Sequence, residues 1–373
     1  MGNEVYSAAI AVGLGVLVGI LLFVPFVAVS YRRRGGLTFG RFALWAAALV
    51  YFLAIWTYTL LPMPASNDYA CAGVNLDLAV FIGDLRAARS LTDFAVLQLA
   101  LNVLLFVPLG FFLRVLGGRG IVVAFLAGLG VSFVIETTQL TGVWGLYPCA
   151  YRVFDVDDLL MNTTGAVVGS LLALVVPRRF RSAEVPDTAG RPHPVTRGRR
   201  LLAMLCDLLA AALVGGAAAV GAQVWLEYVA RDRAAVLDGA LAQTVGAVTP
   251  IAVWLAVTLA TGRTVGDLAV ELRYRGGPVP EPLARPLRFA GGIGGYLLLG
   301  LLPGGWTFTQ LLFAAASVVL VFTTDAARGL PGLVSGQRVT DARGEAPVGD
   351  RGEAPATGAR GEAPVTDSGA KPL

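Results

Sequence analysis

Residues 154–176 read FDVDDLLMNTTGAVVGSLLALVV. The run is apolar enough and long enough to cross a bilayer as a helix. Yet Asp155, Asp157 and Asp158 crowd its entrance, and Asn162 sits inside it. A charge at the bilayer centre costs about 2.5–3.5 kcal/mol on insertion-based scales. Asp155, Asp158, Asn162, Gly165 and Gly169 follow one another at intervals of three, four, three and four, which places them on one helical face. Gly165-x-x-x-Gly169 also admits a close neighbouring helix. The stripe therefore faces protein rather than lipid. Its acids gather at the amino end, where Asp155 or Asp158 suits the cap and negative charge is favourable.

The rest of the chain has the same character. Of 373 residues, 56% are hydrophobic and only 14% charged, with a mean hydropathy of +0.70. Soluble domains run at about 45–50% apolar and about 25% charged. Runs that are apolar all round and of helical-span length exclude alternating barrel strands. The fold class expected is all-α: a polytopic helical membrane protein with about nine transmembrane helices in two bundles. The spans are 8–29, 42–62, 94–115, 120–140, 158–176, 201–224, 244–262, 288–302 and 306–324, with 288–302 short and glycine-rich. Lysine and arginine total 29, and 24 of them fall on one alternate set of connections. By the positive-inside rule the amino terminus is then outside and the carboxyl terminus cytoplasmic, in a multi-pass cell-membrane protein. The net charge of +4 follows the membrane sides, so no nucleic acid is implied as a partner. Positive charge follows the first apolar run instead of preceding it, so that run reads as an anchor and not a signal peptide.

Four regions are expected: a five-helix membrane domain over 1–180, a cytoplasmic linker over 181–200, a second membrane domain over 201–336 and a disordered tail over 337–373. The linker is polar and proline-rich, and the tail repeats Arg-Gly-Glu-Ala-Pro from 343, 351 and 360. A short hairpin is expected around 268–274. On this topology Cys71 and Cys149 both lie in exported loops, where an oxidising compartment permits a disulfide; two free thiols are the equal alternative. The lone histidine, His193, sits between prolines, so no histidine triad or multi-histidine metal site is available.

Two other spans carry matching stripes. Gly128, Ser132, Glu136 and Gln139 share a face of 120–140, and Gln98, Asn102, Phe106 and Gly110 share a face of 94–115. With Arg152 in the short connection, acids and amides collect at one depth. They serve either as packing glue, worth about 0.6–2 kcal/mol each, or as a binding site. The segments Asn102-Val-Leu-Leu-Phe-Val-Pro-Leu-Gly110, Ile135-Glu136 with Gln139-Leu140, Arg152 and Asp155-Val-Asp-Asp158-Leu-Leu-Met-Asn162-Thr-Thr-Gly165 resemble the VanZ-like family over about residues 40–176. That family is typed by a protein associated with low-level teicoplanin resistance. The resemblance implies a cell-envelope protein that lowers susceptibility to lipophilic glycopeptides, without supplying a reaction or catalytic residues. The candidate ligand-binding set is Asn102, Glu136, Gln139, Arg152, Asp155, Asp158 and Asn162.

The second half holds Arg199-Arg200-Leu-Leu-Ala-Met-Leu-Cys-Asp207, Gly262-Arg-Thr-Val-Gly266, Arg285, Arg288 and Asp325-Ala-Ala-Arg-Gly-Leu330. This order resembles the RDD family of small membrane domains over about residues 197–338, although Val265-Gly266-Asp267 stands where members carry Pro-Gly-Lys. Its candidate polar residues are Arg200, Asp207, Arg263, Arg288 and Asp325, with Asp207 expected to pair with Arg263, Arg288 or another arginine.

The function expected is binding or protection at the outer face of the cytoplasmic membrane. Its partners would be membrane lipid and a lipid-linked cell-wall intermediate or an amphiphilic antibiotic. Two alternatives stand beside it. One is an enzyme whose Glu136, Asp155, Asp157 and Asp158 hold a magnesium-like ion. The other is a transporter moving an ion or small solute past Asp207. No cofactor is specified by the sequence.

Overall fold

The computed structural model describes residues 2–61, 63–64, 68–88, 90, 92–181, 190–302 and 307–344. Helices dominate, and six of the described ones are long and apolar enough to span a membrane. The first half comprises α1 (Gly2–Arg34), α2 (Phe39–Leu60), β1 (Val74–Asn75), α3 (Leu78–Ala87), α4 (Phe94–Val115), α5 (Ile121–Leu140), the one-turn α6 (Gly142–Gly145), β2 (Phe154–Asp155) and α7 (Val156–Leu172). The closest packing here is between α4 and α7, and glycine makes it. A Cβ on Gly165 would strike the Val103 carbonyl, one on Gly169 the Val107 carbonyl, and one on Gly110 the Ala166 carbonyl. Backbones at that separation have no room for any larger residue. On the other side of α7, Gly128 of α5 lies against Ala166 and Thr163. A small apolar core of Ile55, Phe106 and Ile135 joins α2, α4 and α5.

At one end of this bundle the connections are tied together. Cys71 and Cys149 form a disulfide with a Cα–Cα distance of 5.6 Å, resolving the alternative left open by the sequence. Val74 and Asn75 pair in parallel with Phe154 and Asp155. The Tyr69 hydroxyl donates to the Cys149 carbonyl at 2.6 Å. These ties hold the entrance of α7 in one place.

The second half comprises α8 (Arg197–Val224), which runs on into a π-helical turn at Trp225–Ala230, then α9 (Arg233–Asp238), α10 (Ala240–Thr261), α11 (Val265–Ala269), β3 (Leu272–Arg275), α12 (Glu281–Ala290), α13 (Ile293–Leu299), α14 (Thr307–Thr323), α15 (Gly329–Ser335) and β4 (Arg338–Asp341). Thr196 caps α8 by accepting from the Arg199 amide at 3.2 Å.

Several sequence expectations need correction. The span expected over 288–302 is not one helix. α12 ends at Ala290, Gly291 and Gly292 interrupt the chain, and α13 has seven residues. The hairpin expected around 268–274 is absent, because β3 pairs instead with β4, antiparallel, from Leu272↔Asp341 to Arg275↔Arg338. Residues 337–344, expected as the start of a disordered tail, are therefore folded; Gln337 is 1% exposed and Asp341 2%. The Arg-Gly-Glu-Ala-Pro repeats from residue 345 onward lie outside the described residues, as do residues 182–189 of the linker. The linker also ends earlier than expected, since α8 begins at Arg197.

The first span joins the wrong neighbour for the 1–180 division. Phe23, Val27 and Tyr31 of α1 are buried with Ala203, Cys206, Ala269, Val270, Leu272, Tyr274 and Val339, all from the second half. Its contact with α2 includes Phe26 stacked on Trp45 at 4.8 Å and Gly19 close against Leu49. α1 thus connects the two bundles instead of completing the first.

Candidate functional site

The amino end of α7 is built as the stripe suggested. Asp155 is the cap, its Oδ1 accepting from the Asp157 amide at 2.9 Å. The same Oδ1 receives Asn75 Nδ2 at 3.2 Å. From α5, Glu136 reaches across so that its Oε2 accepts the Asp155 amide at 3.1 Å. Glu136 is only 3% exposed. One turn into α7, Asp158 accepts a hydrogen bond from Asn102 Nδ2 of α4. One turn further, Asn162 Nδ2 donates to Ser132 Oγ of α5 at 2.9 Å. The Asn162 carbonyl oxygen is buried with no hydrogen-bond partner.

The structure therefore brings together Asn102, Glu136, Asp155, Asp158 and Asn162 from three helices. The other two candidates are tied to α2. Gln139 Nε2 donates to the Thr59 carbonyl at 2.7 Å, and Arg152, which is exposed, donates from Nη2 to the Leu61 carbonyl at 3.0 Å. Among the described residues, no arginine lies within ion-pair distance of Glu136, Asp155 or Asp158. Three carboxylates thus share one end of the bundle; their hydrogen bonds come from amides and backbone N–H groups, and the Arg152 guanidinium acts on Glu136 and Asp158 from beyond ion-pair distance. Beside them Tyr147 and Tyr151 form an aromatic rim, with ring centroids 6.1 Å apart. Burial pushes the Tyr151 hydroxyl above its ordinary range, so it stays a neutral donor, here to the Leu60 carbonyl at 3.2 Å. Among the described residues no three Asp, Glu, His or Cys side chains converge as a metal-binding set. The four-carboxylate ion site weighed from the sequence is not formed.

The second half handles its charges differently. Asp207 pairs with neither Arg263 nor Arg288, against expectation. Its Oδ1 accepts from Trp254 Nε1 and the Gly266 amide, both at 2.7 Å, and its Oδ2 accepts from Thr264 Oγ1 at 2.6 Å. Gly266 permits this, because a Cβ there would strike the Ala203 carbonyl and the Asp207 carboxyl. Arg200 instead pairs with Asp267 at 2.8 Å and donates to the Tyr274 hydroxyl at 2.8 Å. Burial pushes the Tyr274 phenol upward, which keeps it neutral beside the guanidinium. Arg199 closes on Asp341 at 2.7 Å, at a relative exposure of 3% against 0%, and lies over the Tyr31 ring of α1. Arg263 donates to the Leu272 carbonyl at 2.7 Å, and Arg288 donates to Gln337. Asp325 stands apart on an exposed turn.

Asp267, Tyr274, Trp254, Gln337 and Asp341 complete this network, and none was a candidate from the sequence. Only Asp267 carried a local signal. Thr264 and Asp267 form a capping box over the start of α11, a pattern readable as Thr-x-x-Asp.

The comparisons with known proteins bear on the first half alone. No curated protein and no solved structure matches the chain. The comparisons give no support for an RDD-family domain in the remainder of the chain. The family model VanZ/LLP1 matches residues 42–177, a stretch that begins inside α2, leaves out α1 and ends just past α7. The helices that assemble the acidic site are therefore those of a VanZ-like domain within this membrane protein.

Proposed function

We propose that the VanZ-like domain works at the outer face of the cytoplasmic membrane, where it binds the polar part of an amphiphile and lowers susceptibility to lipophilic glycopeptides such as teicoplanin. The observation that carries this reading is the trio Glu136, Asp155 and Asp158 at one end of the bundle, with no guanidinium in ion-pair range among the described residues. Carboxylates without an ion-pair partner in the fold are suited to amines and other donors brought by a ligand. The polar part of a lipid-linked wall intermediate or of an amphiphilic antibiotic offers such groups at this depth. Exposed Arg152 stands nearby in sequence for an anionic group of the same ligand. The outward orientation rests on the basic residues, which favour the opposite end, and on the Cys71–Cys149 bridge, which suits an oxidising compartment.

The order of Arg199, Arg200, Asp207, Gly266 and Asp325 supports reading residues 197–338 as an RDD-like module. Transport past Asp207 is the weaker use of it, because all three hydrogen bonds to Asp207 come from the module's own framework and fix it as a junction of α8, α10 and α11.

The test is teicoplanin susceptibility in a host lacking the gene, complemented with wild type, Glu136→Gln or Asp158→Asn at equal membrane abundance. Protection by wild type with loss in both variants is the expected result. Equal protection by all three would make the acids packing groups only.

A further inference from the structure

A cavity of about 300 Å³ lies in the second half, bordered by α8, α10, α11, β3, α12, α13, α14 and α15. That is at the lower end of the range for small-molecule sites. Most of its wall is apolar, with Leu208, Ile293, Phe313, Val318 and Val321 among the lining residues.

The polar groups on the wall are unequally satisfied. The acids are fully engaged. Asp207 holds three donors, and Asp267 takes Arg200 and the Thr264 amide. The buried lining atoms with no hydrogen-bond partner are Arg200 Nε, Arg288 Nη2, Thr258 Oγ1 and Ser317 Oγ. Every one of them can donate, and none is a carboxylate or carbonyl oxygen. The carboxylate in ion-pair range of Arg288 Nη2 is that of Glu281, at 3.7 Å and 51% exposed, and the guanidinium lies over the Tyr274 ring.

Thr258 and Ser317 are telling because their neighbours on the same helices behave otherwise. On α10, Thr244, Thr249 and Thr261 each donate to the carbonyl four residues back; on α14, Thr323 does the same. A helical hydroxyl without another partner ordinarily makes that bond. Thr258, 1% exposed, and Ser317, 8% exposed, do not make it and border the cavity. Leaving a buried donor unmade costs about 1–3 kcal/mol, so a surplus of buried donors on one cavity wall calls for a molecule that brings acceptors.

We propose that this cavity binds a single amphiphile, its anionic, acceptor-rich head meeting Arg288, Thr258 and Ser317 and its apolar body filling the space lined by Phe313, Val318 and Val321. A long-chain carboxylate and one chain of an anionic phospholipid share this chemistry. The site is separate from the acidic cluster of the VanZ-like domain, and its ligand carries the opposite charge preference.

The experiment uses the full chain in nanodiscs of neutral phosphatidylcholine, photolabelled with a diazirine-bearing long-chain fatty acid and mapped by peptide mass spectrometry. Label is expected on α10 around Thr258 and on α14 around Ser317, displaced by palmitate or by phosphatidylglycerol. Displacement by palmitate alone assigns a free fatty acid, and displacement by both assigns a membrane lipid chain. Thr258→Val with Ser317→Ala, which removes no hydrogen bond of the framework, should cut labelling roughly fivefold or more. Ala314→Phe, which fills the space directly, should abolish it. Label spread over the outward faces and unchanged in these variants overturns the proposal. Equal displacement by hexadecanol overturns it too, as does displacement by inorganic phosphate alone.

Discussion

Both halves of this protein place acids within or beside their packed helices, and they treat them in opposite ways. In the second half each buried acid is enclosed by its own framework: Asp341 by Arg199, Asp267 by Arg200, and Asp207 by three donors from α10 and the start of α11. In the VanZ-like domain Glu136, Asp155 and Asp158 meet amides and backbone N–H groups, and no guanidinium among the described residues comes into ion-pair range. An enclosed pair fixes the positions of its helices. A carboxylate held by amides and backbone N–H groups is positioned too, yet it has no ion-pair partner among the described residues. The contrast fits a structural role for the arginine network and the binding role proposed for the acidic end.

The largest effect should come from breaking an enclosed pair. Asp267→Asn leaves Arg200 buried without its counter-charge, and about 3–5 kcal/mol of stability should be lost, measured by denaturant unfolding of the purified chain in mild detergent. Removing the Cys71–Cys149 bridge with a double serine substitution should cost about 2–4 kcal/mol. It should also loosen the loop carrying Asn75, seen as faster amide exchange around residues 72–75. Gly165→Ala forces α7 away from the Val103 carbonyl, so about 1–3 kcal/mol is expected from the same unfolding assay. Ser132→Ala removes the one acceptor of Asn162 Nδ2 and should cost least, about 0.6–2 kcal/mol. A Ser132→Ala loss as large as that of Asp267→Asn would erase the distinction between the halves.

The single face of α7 was legible because a helical period fixes which residues share a side, whatever lies opposite. Asp155, Asp158, Asn162 and the two glycines are on that face, and Asn102, Ser132 and Glu136 meet it from their own stripes. Partner choice was not legible. Gln139 shares a stripe with Glu136, yet it turns to α2 because the face of a helix is broad enough to touch two neighbours. Asp207 was expected beside an arginine on charge alone, whereas Gly266 brings a backbone amide close enough to serve instead. Pairing of β3 with β4 joins residues far apart in sequence, and nothing local at either strand announces the other. Docking of α1 on α8 likewise depends on the shape of a surface assembled from the second half, including Val270 and Leu272. The break at Gly291-Gly292 was visible as a glycine-rich weakness, although not as a division into two helices.

The most direct measurement is the unfolding free energy of a Glu136→Gln, Asp158→Asn double variant, taken beside Asp267→Asn and paired with teicoplanin susceptibility at matched abundance. Both substitutions keep an oxygen to accept the Asp155 amide and Asn102 Nδ2. The double variant should therefore stay within about 1 kcal/mol of wild type while losing protection. A double variant destabilised as much as Asp267→Asn, or one that is stable and still protective, would contradict a binding role for the acidic end.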